Sequence, residues 1–241
     1  LGVLGNANLY FLNPNGIVFG PNASLDVRGS FLASTAAGIQ LGANGFFSAT
    51  EPAQSNLLAV QPSALFLTAL ASQQNAIVNQ GSLSAGQNLT LVAGQVDSSG
   101  SLLAPRGEVQ VSAIAGNAQI RNLTAQSATL FASNNLVVQE SRLQTAGDLT
   151  LRAQNTVWMR DSLETPLTVR AGGNLYIQGD QMIDILALNH PDPAFQSGGA
   201  LTLVSDGIIS GDAHFTSGGN YSILKLSGAP GRFVSLYDPI I

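Results

Sequence analysis

The chain has 241 residues, of which 45% are hydrophobic and only 10% charged, with 26 glycines, no cysteine and a formal net charge of −5. An ordinary soluble domain is about 25% charged, so this surface must be covered by Ser, Thr, Asn, Gln and Gly. The acidic balance and the single lysine, Lys225, exclude a nucleic-acid binder, which needs a basic face. Zero cysteine excludes a disulfide scaffold, a thiolate metal site and a cysteine nucleophile. No window reaches the roughly 18 apolar residues of a membrane-spanning helix; the most apolar stretch, 64–71, is short and contains Thr68.

In chain order, the first predicted strands are 9–12 and 17–19, joined by Asn13-Pro14-Asn15-Gly16. Asn, Pro and Gly at the first, second and fourth positions are the signature of a type I turn. A second turn, Gly20-Pro21-Asn22-Ala23, leads into a strand at 24–27. The stretch 65–71 is the one segment the pattern allows as a short helix.

From residue 86 a unit recurs: glycine, a small polar residue, then alternating apolar residues. Its copies are Gly86-Gln87-Asn88-Leu89, Gly147-Asp148-Leu149, Gly172-Gly173-Asn174-Leu175, Gly198-Gly199-Ala200-Leu201 and Gly218-Gly219-Asn220-Tyr221, with a looser one at Gly107-Glu108-Val109. Aligned on the first apolar residue, they stand at 89, 109, 149, 175, 201 and 221, so the gaps are 20, 40, 26, 26 and 20 residues. The gap of 40 is expected to hide a degenerate copy near Ala128-Thr129-Leu130-Phe131. Alternation is the strand period, and further strands are predicted at 95–97, 156–159, 167–169, 182–186 and 207–209. The L-x-x-L-x-L pattern of leucine-rich repeats is missing.

Units of this size, each of two or three short strands, predict an all-β fold: a right-handed parallel β-helix of about 20–26 residues per coil with small extra-helical hairpins or loops. At about 20 residues per coil and 4.8 Å of rise, a dozen coils and a rod near 55 Å are expected. Glycine and asparagine are expected to serve left-handed corners, and outward Thr, Asn and Gln to form ladders. The whole of 1–241 reads as one β-helix domain, with 1–84 its turn-bearing first part and 85–241 the repeat coils.

Residues 8–35, Asn-Leu-Tyr-Phe-Leu-Asn-Pro-Asn-Gly-Ile-Val-Phe-Gly-Pro-Asn-Ala-Ser-Leu-Asp-Val-Arg-Gly-Ser-Phe-Leu-Ala-Ser-Thr, resemble the NPNGI region of the two-partner secretion domain. That domain heads filamentous-haemagglutinin-type exoproteins of Gram-negative bacteria. The resemblance continues through Gly45-Phe46-Phe47-Ser48-Ala49-Thr50, Asn79-Gln80-Gly81-Ser82-Leu83, Gly172-Gly173-Asn174-Leu175, Ala187-Leu188-Asn189-His190-Pro191-Asp192, Ser217-Gly218-Gly219-Asn220 and Tyr237-Asp238-Pro239-Ile240. It implies a transport signal: export to the periplasm, recognition by the periplasmic POTRA domains of a partner outer-membrane β-barrel, passage, and folding at the cell surface or beyond as an adhesin. It also implies that Asn13, Pro14, Asn15, Gly16 and Ile17 form the secretion motif, fixing an early turn and secondarily meeting the partner. Members of that family carry an upstream NPNL segment and a signal peptide, and the sequence departs from the pattern there, since it begins only a dozen residues before Asn13.

An enzymatic or carbohydrate-binding β-helix is the alternative. Its candidate residues are Asp180, Asp184, His190, Asp192 and Asp212, with Asp206 and His214 nearby. Asp180 and Asp184 would share a strand face if that strand is unbroken, and glycosidase chemistry needs such carboxylates within about 10 Å. Acids at β-helix corners otherwise serve turns, and that reading is preferred: no catalytic residue, metal or cofactor is expected. The histidines have no HxH or HExxH spacing, and Gly172-Gly173-Asn174-Leu175 breaks the calcium nonapeptide pattern. Trp158 and Tyr176 read as packing residues. A host-cell or polysaccharide ligand remains a possible partner of the displayed rod; no nucleic acid and no membrane span is expected.

Overall fold

The computed structural model describes residues 2–3, 5–41, 45–55, 65–66 and 75–237. The chain winds as a parallel β-solenoid of three faces. Gly2–Val3, Leu9–Leu12 and Ile17–Phe19 make the first coil. Ser24–Val27, Phe31–Ser34 and Ala76–Asn79 make the second, each parallel to its counterpart in the first. The same order repeats to Phe215–Ser217, Tyr221–Leu224 and Arg232–Val234.

Register shows why these residues form these strands. On the second face, Leu9, Phe31, Leu89, Val109, Ala128, Leu149, Leu175, Leu201 and Tyr221 pair in one column. From Leu89 onward these are the aligned glycine-unit positions, with Ala128 filling the gap; Leu9 and Phe31 extend the column to the first two coils. On the first face the column is Leu25, Leu83, Leu102, Leu123, Leu143, Val169, Phe195 and Phe215. On the third it is Ile17, Ile77, Val96, Ala118, Leu136, Val157, Ile183, Ile209 and Phe233. Almost all of these side chains are buried in one continuous core. No coil can bury its apolar face alone, so each relies on its neighbours.

The second-face column has nine members, so the solenoid has nine coils rather than a dozen. At about 4.8 Å per step it spans about 40 Å. Two causes shorten it. The step from Phe31 to Leu89 takes 58 residues, because the chain leaves the axis after Ser34 and returns at Ala76. On this excursion Gly38–Leu41 pairs antiparallel with Gly45–Ser48 and with Leu65–Phe66. The helix expected over 65–71 is thus a strand at 65–66, and 67–71 lie outside the described residues. The second cause is two loops, 161–167 and 188–194, which lengthen the sixth and seventh coils to 26 residues.

The corners correct a further expectation. Among the described residues only Gly5, Gly16, Gly228 and Glu140 have positive φ. The repeat glycines are there for space. A Cβ on Gly198 would lie 2.1 Å from the Gly172 carbonyl oxygen, and one on Gly172 would lie 2.1 Å from that of Ala146. The Gly198 N–H donates to the Ala171 carbonyl (2.9 Å), so backbone meets backbone between coils.

The Asn or Asp of the unit has its own role. Asn88 Oδ1 accepts from the Glu108 N–H (3.0 Å), Asp148 Oδ1 from Asn174 (2.7 Å) and Asn174 Oδ1 from Ala200 (2.9 Å). Each side chain satisfies the corner N–H of the next coil, which strand pairing leaves over.

Two substitutions test this packing. Leu130→Ala, in a fully buried position, is expected to cost about 2–5 kcal/mol. Gly198→Ala is expected to destabilise although alanine is the better strand former, because the Gly172 carbonyl must move. Urea unfolding followed by circular dichroism measures both; a neutral Gly198→Ala would refute the close-approach account.

Candidate functional site

The Asn13–Gly16 turn joins the second face to the third in the first coil. Gly16 N–H donates to the Asn13 carbonyl (3.1 Å) and Asn15 N–H to Asn13 Oδ1 (3.1 Å). Asn13 N–H donates to the Ser34 carbonyl of the second coil (3.0 Å). Gly16 has φ of 104°, which a side chain adopts only with strain. Its missing Cβ would also stand 3.3 Å from the Ala76 carbonyl oxygen. Ile17, 4% exposed, starts the third-face column against Ile77.

The Pro14 carbonyl accepts from Asn75 Nδ2. Asn75 directly precedes the strand that returns the chain to the axis, so the turn holds the point where the excursion closes. Asn75 escaped the sequence reading because 61 residues separate the partners.

Beside the turn lies a depression of about 440 Å³, lined by Leu9, Phe11, Val18, Phe19, Leu25 and Leu83 among others. Phe19 packs against Phe11 (6.3 Å between ring centroids) and edge-on to Phe31 (6.2 Å). Phe11 is 45% and Val18 73% exposed.

The acidic candidates are distributed differently from a catalytic pair. The strand is broken between Asp180 and Asp184: Leu175–Gly179 ends before Asp180, and Met182–Ala187 carries Asp184. Asp180 sits at a corner, accepting from Gln178 Nε2 (2.6 Å). His190 and Asp192 belong to the 188–194 loop. There His190 Nε2 donates to the Ser162 carbonyl (2.9 Å), and Asp161 accepts twice from Asn189 (2.8 and 2.9 Å). These contacts bind the two long loops to each other.

Asp184 and Asp212 lie on the outward side of the third face, under the segment that follows Val234. Asp184, 9% exposed, accepts from Arg160 Nη2 (2.7 Å) and from the Tyr237 hydroxyl (3.2 Å) through Oδ2, while its buried Oδ1 has no partner. The Arg160 guanidinium lies 4.6 Å from the Trp158 ring and 5.0 Å from that of Tyr237. Asp212, 2% exposed, accepts from the Ser210 and Ser235 hydroxyls and from the N–H groups of Leu236 and Tyr237. Residues 235–237 therefore latch across the sixth, seventh and eighth coils.

Both carboxylates are thus occupied by protein donors. No group of three or more His, Asp or Glu gathers as metal ligands among the described residues. Arg160 and Tyr237 were missed in the sequence, although Arg160 shares its outward parity with Trp158.

The model of the TPS secretion domain family matches residues 1–177, which is 177 of 241 positions. The chain belongs to the TPS secretion domain family. A haemagglutinin repeat model matches residues 194–223 of this TPS chain. No curated protein and no solved structure matched it. Both matching families are of secretion and haemagglutinin type, and membership implies export and a partner transporter. Among the described residues no helix is long and apolar enough to cross a membrane.

The latch makes an acid-sensitive prediction. Burial opposes ionisation of Asp212, but its hydrogen-bond donors outweigh it and lower the pKa below the ordinary carboxylate value. A lowered folded pKa contributes stability that is present above the unfolded value of about 3.9 and lost as pH falls through the folded one. Trp158, the one tryptophan, reports on the latch through Arg160. Its fluorescence is expected to stay constant above about pH 4 and to change only below, with that transition shifted or lost in Asp212→Asn. Arg160→Ala, which leaves a buried carboxylate unpaired, is expected to cost about 3 kcal/mol.

Proposed function

We propose that this chain is the secretion domain and first rod segment of a two-partner secretion exoprotein. It is recognised in the periplasm by the POTRA domains of a partner outer-membrane β-barrel, exported to the surface or the medium, and displayed as a haemagglutinin-like adhesin. The carrying observation is the Asn13–Ile17 turn within the matched residues, tied to Asn75 and placed where the first coil must close before others stack on it. Residues 1–84 then carry the signal and 85–241 continue the same rod.

The physics supports the route. A chain with 10% charged residues meets small electrostatic barriers in a pore. Each emerging coil has a finished coil to pair with, so folding propagates from one end and disfavours return. We assign no catalysis. The acids that a lyase or hydrolase would need are set at a corner, under the latch and between two loops.

Substituting Asn13→Ala and Gly16→Ala in the full-length precursor is expected to reduce the secreted amount by about tenfold, since the first removes the acceptor of the Asn15 N–H and the second strains the turn at its positive φ. Immunoblots of medium and periplasm measure it. The same chain held in urea should bind immobilised POTRA domains, weaker with the substitutions. Unchanged secretion removes the role of the turn; absent binding with unimpaired secretion removes recognition within this segment.

A further inference from the structure

The outward side of the first face carries a trough that none of the preceding roles uses. A depression of about 230 Å³ is lined by Ser101, Leu103, Asn122, Thr124 and Arg142. It shares Asn122 and Arg142 with a second, of about 320 Å³, which adds Gln144, Thr168 and Arg170. The 161–167 loop walls the second with Thr165 and Pro166. The trough therefore runs along the solenoid axis, crossing strands of the fourth to seventh coils.

Its lining follows from register. Asn122, Arg142 and Thr168 form one outward column; Thr124, Gln144 and Arg170 form the next. Arg142 and Arg170 are both exposed. They lie one coil and two residues apart, about 8 Å between Cα atoms from the strand spacing and rise. Neither has a carboxylate within ion-pair distance among the described residues; Arg142 donates only to Gln144 Oε1 (3.2 Å). Glu140 also lines the trough, but Arg121 neutralises it at 2.5 Å. Thr168 and Arg170 also line a third depression, of about 140 Å³, together with Asp161, Asp192 and His190.

An open axial channel fits an extended polymer better than a compact molecule. Hydroxyl and amide side chains suit sugar hydroxyls, and two guanidinium groups each offer a carboxylate a two-pronged contact. The overall charge of −5 works against a densely charged polyanion, which needs many cations along its length. We propose that this trough binds a linear acidic polysaccharide with carboxylates on its sugar units, Arg142 and Arg170 each holding one. The proposal adds a ligand class to the surface-display reading. It concerns the folded rod alone, so binding and secretion are measured separately and either can fail without the other.

The test is calorimetric titration of the folded 241-residue chain with oligogalacturonate, its fully methyl-esterified form, dextran sulfate and duplex DNA, in about 0.1 M salt where surface charges act over about 10 Å. The expected result is binding of oligogalacturonate, lost on esterification and weakened about tenfold or more by R142A/R170A. R152A, outward on the second face, should leave it unchanged. The exposed arginines allow an unchanged melting temperature, which confirms that the variants fold. Three results overturn the proposal: no binding of oligogalacturonate, binding indifferent to R142A/R170A, or equal binding of dextran sulfate and DNA, which marks unspecific attraction to polyanions.

Discussion

Every coil here must pair its backbone with the coil before it, about 4.8 Å away, and everything else depends on that spacing. Inward side chains then meet a neighbour at the same column position, so each column settles on residues that stack: Leu102, Leu123 and Leu143 on one face, Leu136, Val157 and Ile183 on another. Corners meet the same demand with fewer options. Where backbone comes against backbone, only glycine fits, as at Gly172 and Gly198. Where an N–H is left over, an Asn or Asp of the preceding coil accepts from it, as Asn174 does from Ala200.

A stack of this kind is satisfied in its middle and exposed at its ends and interruptions. The special features collect there. In the first coil the Asn13–Gly16 turn, the Phe11–Phe19–Phe31 cluster and the Asn75 contact hold together the place where the chain leaves and rejoins the axis. At the other end, residues 235–237 fold back over the sixth to eighth coils and engage Arg160, Asp184 and Asp212. The first arrangement is local in space and can form early. The second needs three finished coils, so it can close only after they have stacked.

This difference also explains what could be read in the sequence. The column at 89, 109, 149, 175, 201 and 221 was legible because the same corner recurs each time, and even Ala128 was placed by spacing. The glycines were found for another reason than the one that holds: recurrence marks a constrained site but does not distinguish φ from crowding. Asp180 and Asp184 looked like one strand face because parity carries no information about a corner at 180–181. The Arg160–Tyr237 bond spans 77 residues and no periodicity announces it. Arg142 and Arg170, 28 apart in the chain, become neighbours only once the 161–167 loop is recognised as an insertion.

The spacing also accounts for the scarcity of charge. A charged side chain repeated in a column would face its own kind one coil away, at a cost of about 1 kcal/mol per contact even in water. Columns of Thr, Gln, Asn and Ser avoid that cost, and two pairs of the charges that occur are matched between adjacent coils. Arg121 pairs with Glu140 and Arg160 with Asp184, each across one coil. Such pairs form only when the next coil docks, so they reward stacking and contribute nothing to a single coil. Arg142 and Arg170 are arranged differently from these pairs: two like charges on adjacent coils, offset by two residues, over a polar trough. Their proximity, and not the bare absence of an ion pair, is what distinguishes them from the other exposed arginines and makes the trough a place for an anion in the proposal above.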